Sequence, residues 1–496
     1  MEKERIALII SPSVFLASER VLVSLGLLRI AAVLESKDHS VEVLDLNSVT
    51  NYREIAANYC TTTEATVFAL SLTTPQVPTA EVIITTIRQV RPDARIIAGG
   101  PHITGVVAAY KREKRLGQEG RAHRAFHRLI ELFDTVVSGD GERAVFFAIR
   151  QDAPKVIDAD DLDSDLFLQA SDLAQYPFPA RHLISLSDYK YYIDSVPATS
   201  LIMQLGCCFG CTFCGLRLSP SFRKVRIRPI DNVLAEIREI YEVHGFRGLN
   251  MLDDELNVNP RFLQDLGKLA KLQNELKTEF RCRGFLKAEL FTEEMGRAMY
   301  DVGFRNVLIG FETAHPRILR NIKKRATLDD NNRAMEIAAK CGLLVKALMT
   351  CGHAGEDCST IEATHDWLLQ VHPHDFDICN ITVYPSTPYY DLAVPHPADK
   401  NVWVYTAENG DRLYSLEVDF SKEAAFYKGR LLEYKSYCWT DFITAEEIVK
   451  MRNWVERDVR EKLGIPFYPS ISANVYEHSM GQGFPTSILR RSDNPQ

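Results

Sequence analysis

The first 150 residues alternate short apolar runs with stretches of helical length. Residues 6–11, 41–46, 65–72, 95–98 and 135–138 are Val- and Ile-rich and lack strict polar alternation, the pattern of strands buried on both faces of a parallel sheet. Between them, 19–35, 53–59, 80–90 and 106–132 have the length or period of helices. This order predicts an α/β, doubly wound parallel sheet (Rossmann-like) over 1–150; such sheets bind ligands beyond the carboxyl ends of their strands. Residues 151–195 are acidic and punctuated by Pro177 and Pro179, and read as an ordered connector. Over 196–395 the alternation resumes, with strands near 200–205, 247–252, 279–284, 306–311, 343–349 and 376–383 and helices at 229–244, 260–273, 291–301, 327–341 and 360–370. Six strands with helices between them predict a partial (β/α)6 TIM-type barrel. Residues 396–496 change character and are expected to form a mostly helical capping region, with charged helices at 423–434 and 445–463 and a Gly/Pro/Ser-rich tail.

Composition narrows the function classes. The chain has 496 residues, 46% of them hydrophobic and 25% charged, enough for two to four domains with substantial cores. Its 58 Lys and Arg against 66 Asp and Glu leave a net charge of −8. That balance argues against a broad nucleic-acid-binding face and leaves room for a local basic pocket. The apolar stretch 21–34 is broken by Ser24, Gly26 and Arg29, well short of the roughly 20 residues a membrane span needs. The opening Met-Glu-Lys-Glu-Arg leads only into the apolar residues 6–10, too short for a signal-peptide core. A cytoplasmic protein with no membrane and no nucleic-acid partner is expected.

The 11 cysteines are unevenly placed: Cys207, Cys208, Cys211 and Cys214 fall within eight residues, directly after a strand expected at 201–205. In a reducing compartment such a cluster reads as metal ligation. Two registers are available, Cys207-x3-Cys211-x2-Cys214 and Cys208-x2-Cys211-x2-Cys214. The second would begin a ferredoxin run, which needs a further cysteine and then proline; Leu218 and Ser219 stand there instead. In the first, three thiolates in one tight loop leave one iron of a four-iron cluster with an unfilled position, the logic of an open catalytic metal site. A structural zinc knuckle is the alternative, and no second ligand pair stands out for it.

The segment Cys207-x3-Cys211-x2-Cys214, with Phe213 between the last two cysteines, resembles the signature of the radical S-adenosylmethionine (SAM) superfamily. Further resemblances follow in order at expected strand ends: Met251-Leu252-Asp253-Asp254-Glu255, Arg281-Cys282-Arg283-Gly284, Gly310-Phe311-Glu312-Thr313, the element 347–356 and Tyr384-Pro385-Ser386-Thr387-Pro388. The resemblance implies a [4Fe–4S] cluster on Cys207, Cys211 and Cys214, SAM chelated to its open iron, and reductive cleavage of SAM to a 5′-deoxyadenosyl radical. It also implies that the backbone at Phe213 borders the adenine and that Gly310 and Glu312 lie beside SAM, where Glu312 could accept from ribose hydroxyls. Arg283 is a candidate partner for SAM's carboxylate, or one half of a salt bridge closing the barrel rim. Of Asp253 and Asp254, one is expected to act as an N-cap-like acceptor and the other to face the site. Cys208 matches no ligand position and is expected to be a small buried hydrophobe.

In the first domain, the helix 24–35 and the elements Ala98-Gly99-Gly100-Pro101-His102 and Gly139-Asp140-Gly141-Glu142 resemble the cobalamin (B12)-binding domain that precedes many radical SAM barrels. The candidate cobalamin contacts are Ser71, Thr73, Gly99, Gly100, Pro101, His102, Gly139, Asp140, Gly141 and Glu142; glycines admit a bulky ligand close to the backbone. Many B12 proteins carry Asp-x-His-x-x-Gly after the first strand. Here that loop, 12–19, has no histidine, and His102 sits after the fourth strand as a tail or backbone contact.

The resemblance therefore implies a cobalamin-dependent radical SAM enzyme, most consistent with methylation of an unactivated carbon, or of phosphorus, in a small-molecule or peptide substrate, served by a reductant such as flavodoxin or ferredoxin. Two other readings are a B12-dependent rearrangement, cyclisation or ring contraction without methyl transfer, and a B12- or redox-sensing regulator. A methylthio-transferring tRNA enzyme is disfavoured, because only Cys60 precedes the cluster and the chain is acidic. Tyr384, Tyr389, Trp403, Tyr405 and Trp439 read as core or lid packing before pocket lining. His353 reads as a surface polar contact, and Cys351 and Cys358 as inert thiols.

Overall fold

A computed structural model describes residues 3–13, 20–423, 425 and 434–465. The first sheet contains β1 (Arg5–Ile10), β2 (Ser40–Asp45), β3 (Val67–Ser71), β4 (Arg95–Gly99), β5 (Thr135–Gly139) and β6 (Val156–Ala159), all parallel in the order β2-β1-β3-β4-β5-β6. The helices α1 (Leu25–Glu35), α2 (Tyr52–Thr62), α3 (Val77–Val90), α4 (Pro101–Arg115), α5 (Arg121–Leu132) and α6 (Gly141–Ala148) cover its two faces. Alternate residues of each strand enter opposite cores: Ala7 and Ile9 join Phe68, Leu70 and Ile96 on one side, whereas Ile6, Leu8 and Ile10 meet Leu27 and Ala31 on the other. Two adjustments to the sequence reading follow. The segment read as connector donates β6, whose Asp158 is half-exposed at the sheet edge. The single helix expected over 106–132 is two, α4 and α5, separated at Gly117 and Gly120.

The second sheet contains β7 (Tyr192–Ile193), β8 (Val196–Leu201), β11 (Gly248–Met251), β12 (Arg281–Leu286), β13 (Phe304–Glu312), β14 (Leu344–Cys351) and β15 (Asp375–Asn380). Its order is β15-β14-β13-β12-β11-β8-β7, six parallel strands and an antiparallel edge. Between β8 and β11 a short hairpin, β9 (Gln204–Leu205) with β10 (Arg226–Ile227), encloses α7 (Pro220–Arg223). The helices α8 (Ile230–Glu242), α9 (Phe262–Leu276), α10 (Glu293–Asp301), α11 (Pro316–Asn321), α12 (Leu328–Cys341) and α13 (Cys358–Val371) complete the open barrel. Two of the differences from the expected strand ends bear on the site. The first barrel strand stops at Leu201, because Asp253 accepts from the N–H groups of Met203 (3.0 Å) and Gln204 (2.6 Å) and turns the chain into the hairpin. The third strand runs on to Leu286, which places Arg283 mid-strand and not at its end.

After α14 (Pro388–Asp391) the chain forms an antiparallel sheet of β16 (Val394–Pro395), β17 (Val402–Thr406), β18 (Arg412–Leu416) and β19 (Cys438–Trp439), then α15 (Ala445–Leu463). The helix was expected at those residues; the sheet was not. The helix expected over 423–434 lies almost wholly outside the described residues, as does the tail beyond 465. A capping box joins Thr444 to Glu447, and Gly464 closes α15 in the left-handed conformation. This helix lies along β15, the last strand of the barrel sheet. Arg452 donates to the carbonyl of Ile378 and Arg460 to that of Phe376, both at 2.6 Å, and Glu456 pairs with both arginines. No helix among the described residues is long and apolar enough to cross a membrane.

Candidate active site

The cysteine loop is built by bonds from four directions. The N–H of Cys207 donates to Phe222 O (2.9 Å), and that of Thr212 to Ile322 O (2.9 Å). Asp160, just past β6, accepts from Ser219 Oγ (2.7 Å) and the Ser221 N–H (2.9 Å), which fixes the start of α7. Arg217 is buried beneath the loop and donates to three of its carbonyls, Cys207 (3.0 Å), Phe209 (2.8 Å) and Gly215 (3.1 Å). Phe213 packs on Ile318, Leu319 and Ile322 and meets the His353 ring edge-on at 5.3 Å.

With the carbonyls held from below, the thiols remain outside any disulfide. Cys211 is buried, and Cys207 and Cys214 are half-buried. Burial raises all three above the ordinary thiol range, Cys214 to about 12, with Arg217 opposing the shift. Among the described residues no three metal-ligating side chains converge on a single-ion site; the ligands of a four-iron cube sit on different irons and need no such convergence. Cys208 is exposed, contrary to the expected buried hydrophobe.

The neighbouring strand ends supply charge. A bulge in β13 puts Glu312 at φ +67°; its Oε1 accepts from Lys324 Nζ (3.0 Å) and its Oε2 from Thr350 Oγ1 (3.2 Å). Gly310 leaves room for this pair, since a Cβ there would lie 2.5 Å from Glu312 Oε1 and 3.1 Å from Lys324 Nζ. Lys287 is buried, donates to Lys324 O (3.1 Å), pairs with Glu289 (2.8 Å) and stands 4.1 Å from the Phe209 ring centre. Burial pushes the Glu255 carboxyl beside them up to about 7. Asp253 is the backbone acceptor already described, and exposed Asp254 is the one within electrostatic reach of Arg217, Cys207 and Cys214.

Other candidates lie elsewhere. Arg283 is buried mid-strand, lowered to about 9 by burial, with Asp375 and Asp377 as opposing charges and Tyr191 beneath its guanidinium. His353 is fully buried, not on the surface, between Thr350 Oγ1 (2.8 Å) and the Tyr389 hydroxyl (3.2 Å). Tyr389 packs on Tyr405, and Trp403 covers Arg121.

A cavity of about 360 Å³ opens at the carboxyl ends of the first sheet. Its walls include Ser71, Gly99, Gly100, Pro101, Gly139, Asp140, Gly141 and Glu142, with Leu8, Ala69, Ile97 and Val137 as apolar floor. The barrel closes it with Ile202, Leu205, Phe222, Arg228 and Glu236. Gly100 adopts φ +97°, and a Cβ there would lie 2.6 Å from the Leu72 nitrogen. Two expected contacts are not in this lining. Thr73 is exposed and caps the next turn through Gln76, and buried His102 bonds Thr74 Oγ1 at 3.1 Å. Residues 14–19 of the first loop lie outside the described residues.

Comparison with known proteins agrees with this geometry. The B12 binding domain family matches residues 14–130, and the Radical SAM superfamily matches 201–368. The chain belongs to the cobalamin-dependent radical SAM enzymes. The first domain of this radical SAM enzyme belongs with the B12-binding domains and the second with the radical SAM domains. An uncharacterized methyltransferase of Pyrococcus horikoshii is 24% identical over 381 residues, 75% of this chain and 78% of its own. The cytidylyl-2-hydroxyethylphosphonate methyltransferase of Streptomyces wedmorensis is 24% identical over 41% of this chain and 40% of its own. The radical SAM methyltransferase TsrM of Kitasatospora setae, solved with tryptophan and aza-SAM, shares the fold at TM-score 0.60 and 18% identity, over 78% of this chain and 75% of that one. A second TsrM structure from Kitasatospora setae, 17% identical at TM-score 0.60, has cobalamin and a [4Fe–4S] cluster bound.

The residues fit these groups. Three thiols on one loop, free of disulfides and flanked by the cations Arg217, Lys287 and Lys324, suit an anionic thiolate-bound cluster. The glycine-edged cavity suits a bulky cofactor that meets the barrel mouth. Arg217, Lys287 and Lys324 were not singled out in the sequence; only the position of Arg217, three residues past Cys214, could have flagged it.

Proposed function

We propose that this radical SAM enzyme transfers a methyl group to an unactivated carbon, or to phosphorus, of a small-molecule or peptide substrate in the cytoplasm. The observation that carries the reading is the cavity shared by the first sheet's carboxyl edge and the barrel, whose lining residues Leu205 and Phe222 flank the cysteine loop. When bound, the cluster supplies an electron to SAM and cobalamin supplies a methyl carrier. The chain's own residues hold and orient. Cys207, Cys211 and Cys214 supply three thiolates, and Arg217 fixes the loop that presents them. Phe213 would border the adenine, Gly310 leaves room for the Glu312–Lys324 pair, and Glu312, steadied by Thr350, would offer its carboxylate to ribose hydroxyls. Ser71, Gly99, Gly100, Pro101, Gly139, Asp140, Gly141 and Glu142 line the cavity that would hold cobalamin. Across the domain junction Arg226 pairs with Asp140, which ties the cavity edge to the barrel, while Arg29 pairs with Glu142 within the first domain. The electron donor is a one-electron carrier such as flavodoxin or ferredoxin, and no nucleic acid takes part.

The test is anaerobic reconstitution with iron, sulfide and cobalamin, followed by turnover of methyl-labelled SAM over candidate substrates. Label in the product together with 5′-deoxyadenosine is the expected result. SAM cleavage with no label in any product points to rearrangement or cyclisation, and cobalamin binding without SAM cleavage points to a sensor.

A further inference from the structure

Two lysines that the proposed mechanism leaves unused lie inside the protein on the Cys211 side of the cysteine loop. Lys287 is 1% exposed and Lys324 is 4% exposed. Leaving a lysine in the interior costs several kcal/mol unless it is paired, and here each has one carboxylate, Glu289 for Lys287 and Glu312 for Lys324. Their placement is fixed by the backbone. Asn257 brackets Lys287 through both its N–H and its carbonyl, each at 2.9 Å, and Lys287 Nζ reaches Lys324 O at 3.1 Å. The segment that carries Lys324 is itself bonded to the cysteine loop, where the Thr212 N–H meets Ile322 O. On the other side, Lys287 Nζ rests on the ring of Phe209, two residues before Cys211. Opposing charges in the same neighbourhood come from Glu255 on the loop after β11, Glu289 after β12 and Glu312 on β13.

Iron–sulfur potentials are set by net charge and hydrogen bonding around the sulfurs, and outer-shell residues tune them. A fixed positive charge near one ligand favours the state with the extra electron, and in a dry interior the effect is weakly screened. We propose that Lys287 and Lys324 are positioning residues that make the cluster on Cys207, Cys211 and Cys214 easier to reduce, by holding two positive charges beside the Cys211 ligand. The inference rests on the reading of those three cysteines as cluster ligands. In the step it concerns, the cluster gains one electron and an external one-electron reductant such as Ti(III) citrate loses one; no proton or bond is exchanged.

The test uses the full-length protein, reconstituted anaerobically, with iron and sulfide counted per chain and the midpoint potential followed by EPR. Lys287→Met and Lys324→Met are expected to keep the cluster and to lower its potential, so that the reduced-to-oxidised ratio at a fixed potential drops about tenfold for each lysine removed. Lys287→Arg and Lys324→Arg should restore it. Glu289→Gln, nearly isosteric, removes the charge opposing Lys287 and should move the potential the other way. Fully loaded Met variants and a Glu289→Gln variant with wild-type potential would overturn the proposal and leave the lysines as packing. A wild-type protein that holds no four-iron cluster would instead overturn the reading of the cysteines.

Discussion

Replacing Arg217 by Ala removes three hydrogen bonds from a buried guanidinium to the carbonyls of Cys207, Phe209 and Gly215, at 3.0, 2.8 and 3.1 Å. Charged hydrogen bonds of this kind contribute about 1.5–3 kcal/mol each when nothing replaces them. Cys207 and Cys214 are half-buried and Cys208 is exposed, so water can reach part of the loop and recover some of that loss. A net cost of about 3 kcal/mol in loop order is the expected remainder. The cluster binds only the ordered loop, so that cost appears as cluster affinity, about a hundredfold at 1.4 kcal/mol per decade. The assay is anaerobic loss of iron to a ferrous chelator, followed by absorbance. Arg217→Ala should release iron about a hundred times faster than the wild type, and Arg217→Lys, which keeps the charge but not the fork, about tenfold faster. If Arg217→Ala retains iron as long as the unaltered protein, the guanidinium does not organise the loop and the account of the site's assembly is wrong.

Two further outcomes are expected. Gly100→Ala puts a Cβ 2.6 Å from the Leu72 nitrogen at φ +97°; strain of about 1–3 kcal/mol should weaken cobalamin binding by one to two orders of magnitude in an absorbance titration, with the barrel's cluster content unchanged. Burial pushes the Glu356 carboxyl up to about 7 while it accepts from the His353 N–H at 2.8 Å. The folded chain therefore holds a proton that the unfolded chain releases at ordinary carboxylate pH. This contribution is intact below about pH 4.5 and is lost as the pH rises through 7, by about 3 kcal/mol. Amide exchange over 352–357 should accelerate between pH 5 and 8 in the wild type; an equally steep rise in Glu356→Gln would assign the effect to another group.

Much of the architecture was legible because buried parallel strands are short, apolar and regularly spaced. β1 to β5 and the last five barrel strands overlap the runs expected for them, the first barrel strand lies four residues earlier, and the cysteine loop lies between the first two barrel strands. What escaped depends on contacts between distant residues. Whether Asp253 or Asp254 faces the site is decided by two amides some fifty residues away. Arg283 was misplaced along its strand because nothing local marks the strand's end at Leu286. Thr73 looked like a ligand contact until Gln76, three residues on, proved to occupy it. The antiparallel sheet near the carboxyl terminus contains two strands of only two residues each, which leave no periodicity to read. His353 looked like a surface group because the aromatic rings that enclose it come from Phe213 and Tyr389.

The final helix has a meaning beyond packing. A barrel of six strands never closes on itself, so one flank would otherwise present unmet acceptors to any extended peptide able to pair with it. Two guanidiniums, kept in register by the single glutamate between them, answer those acceptors side-on and leave no template for a foreign strand. A polypeptide terminated ahead of Ala445 should therefore stick to copies of itself through that flank, and its concentration-dependent assembly would be seen by light scattering before any loss of helical signal.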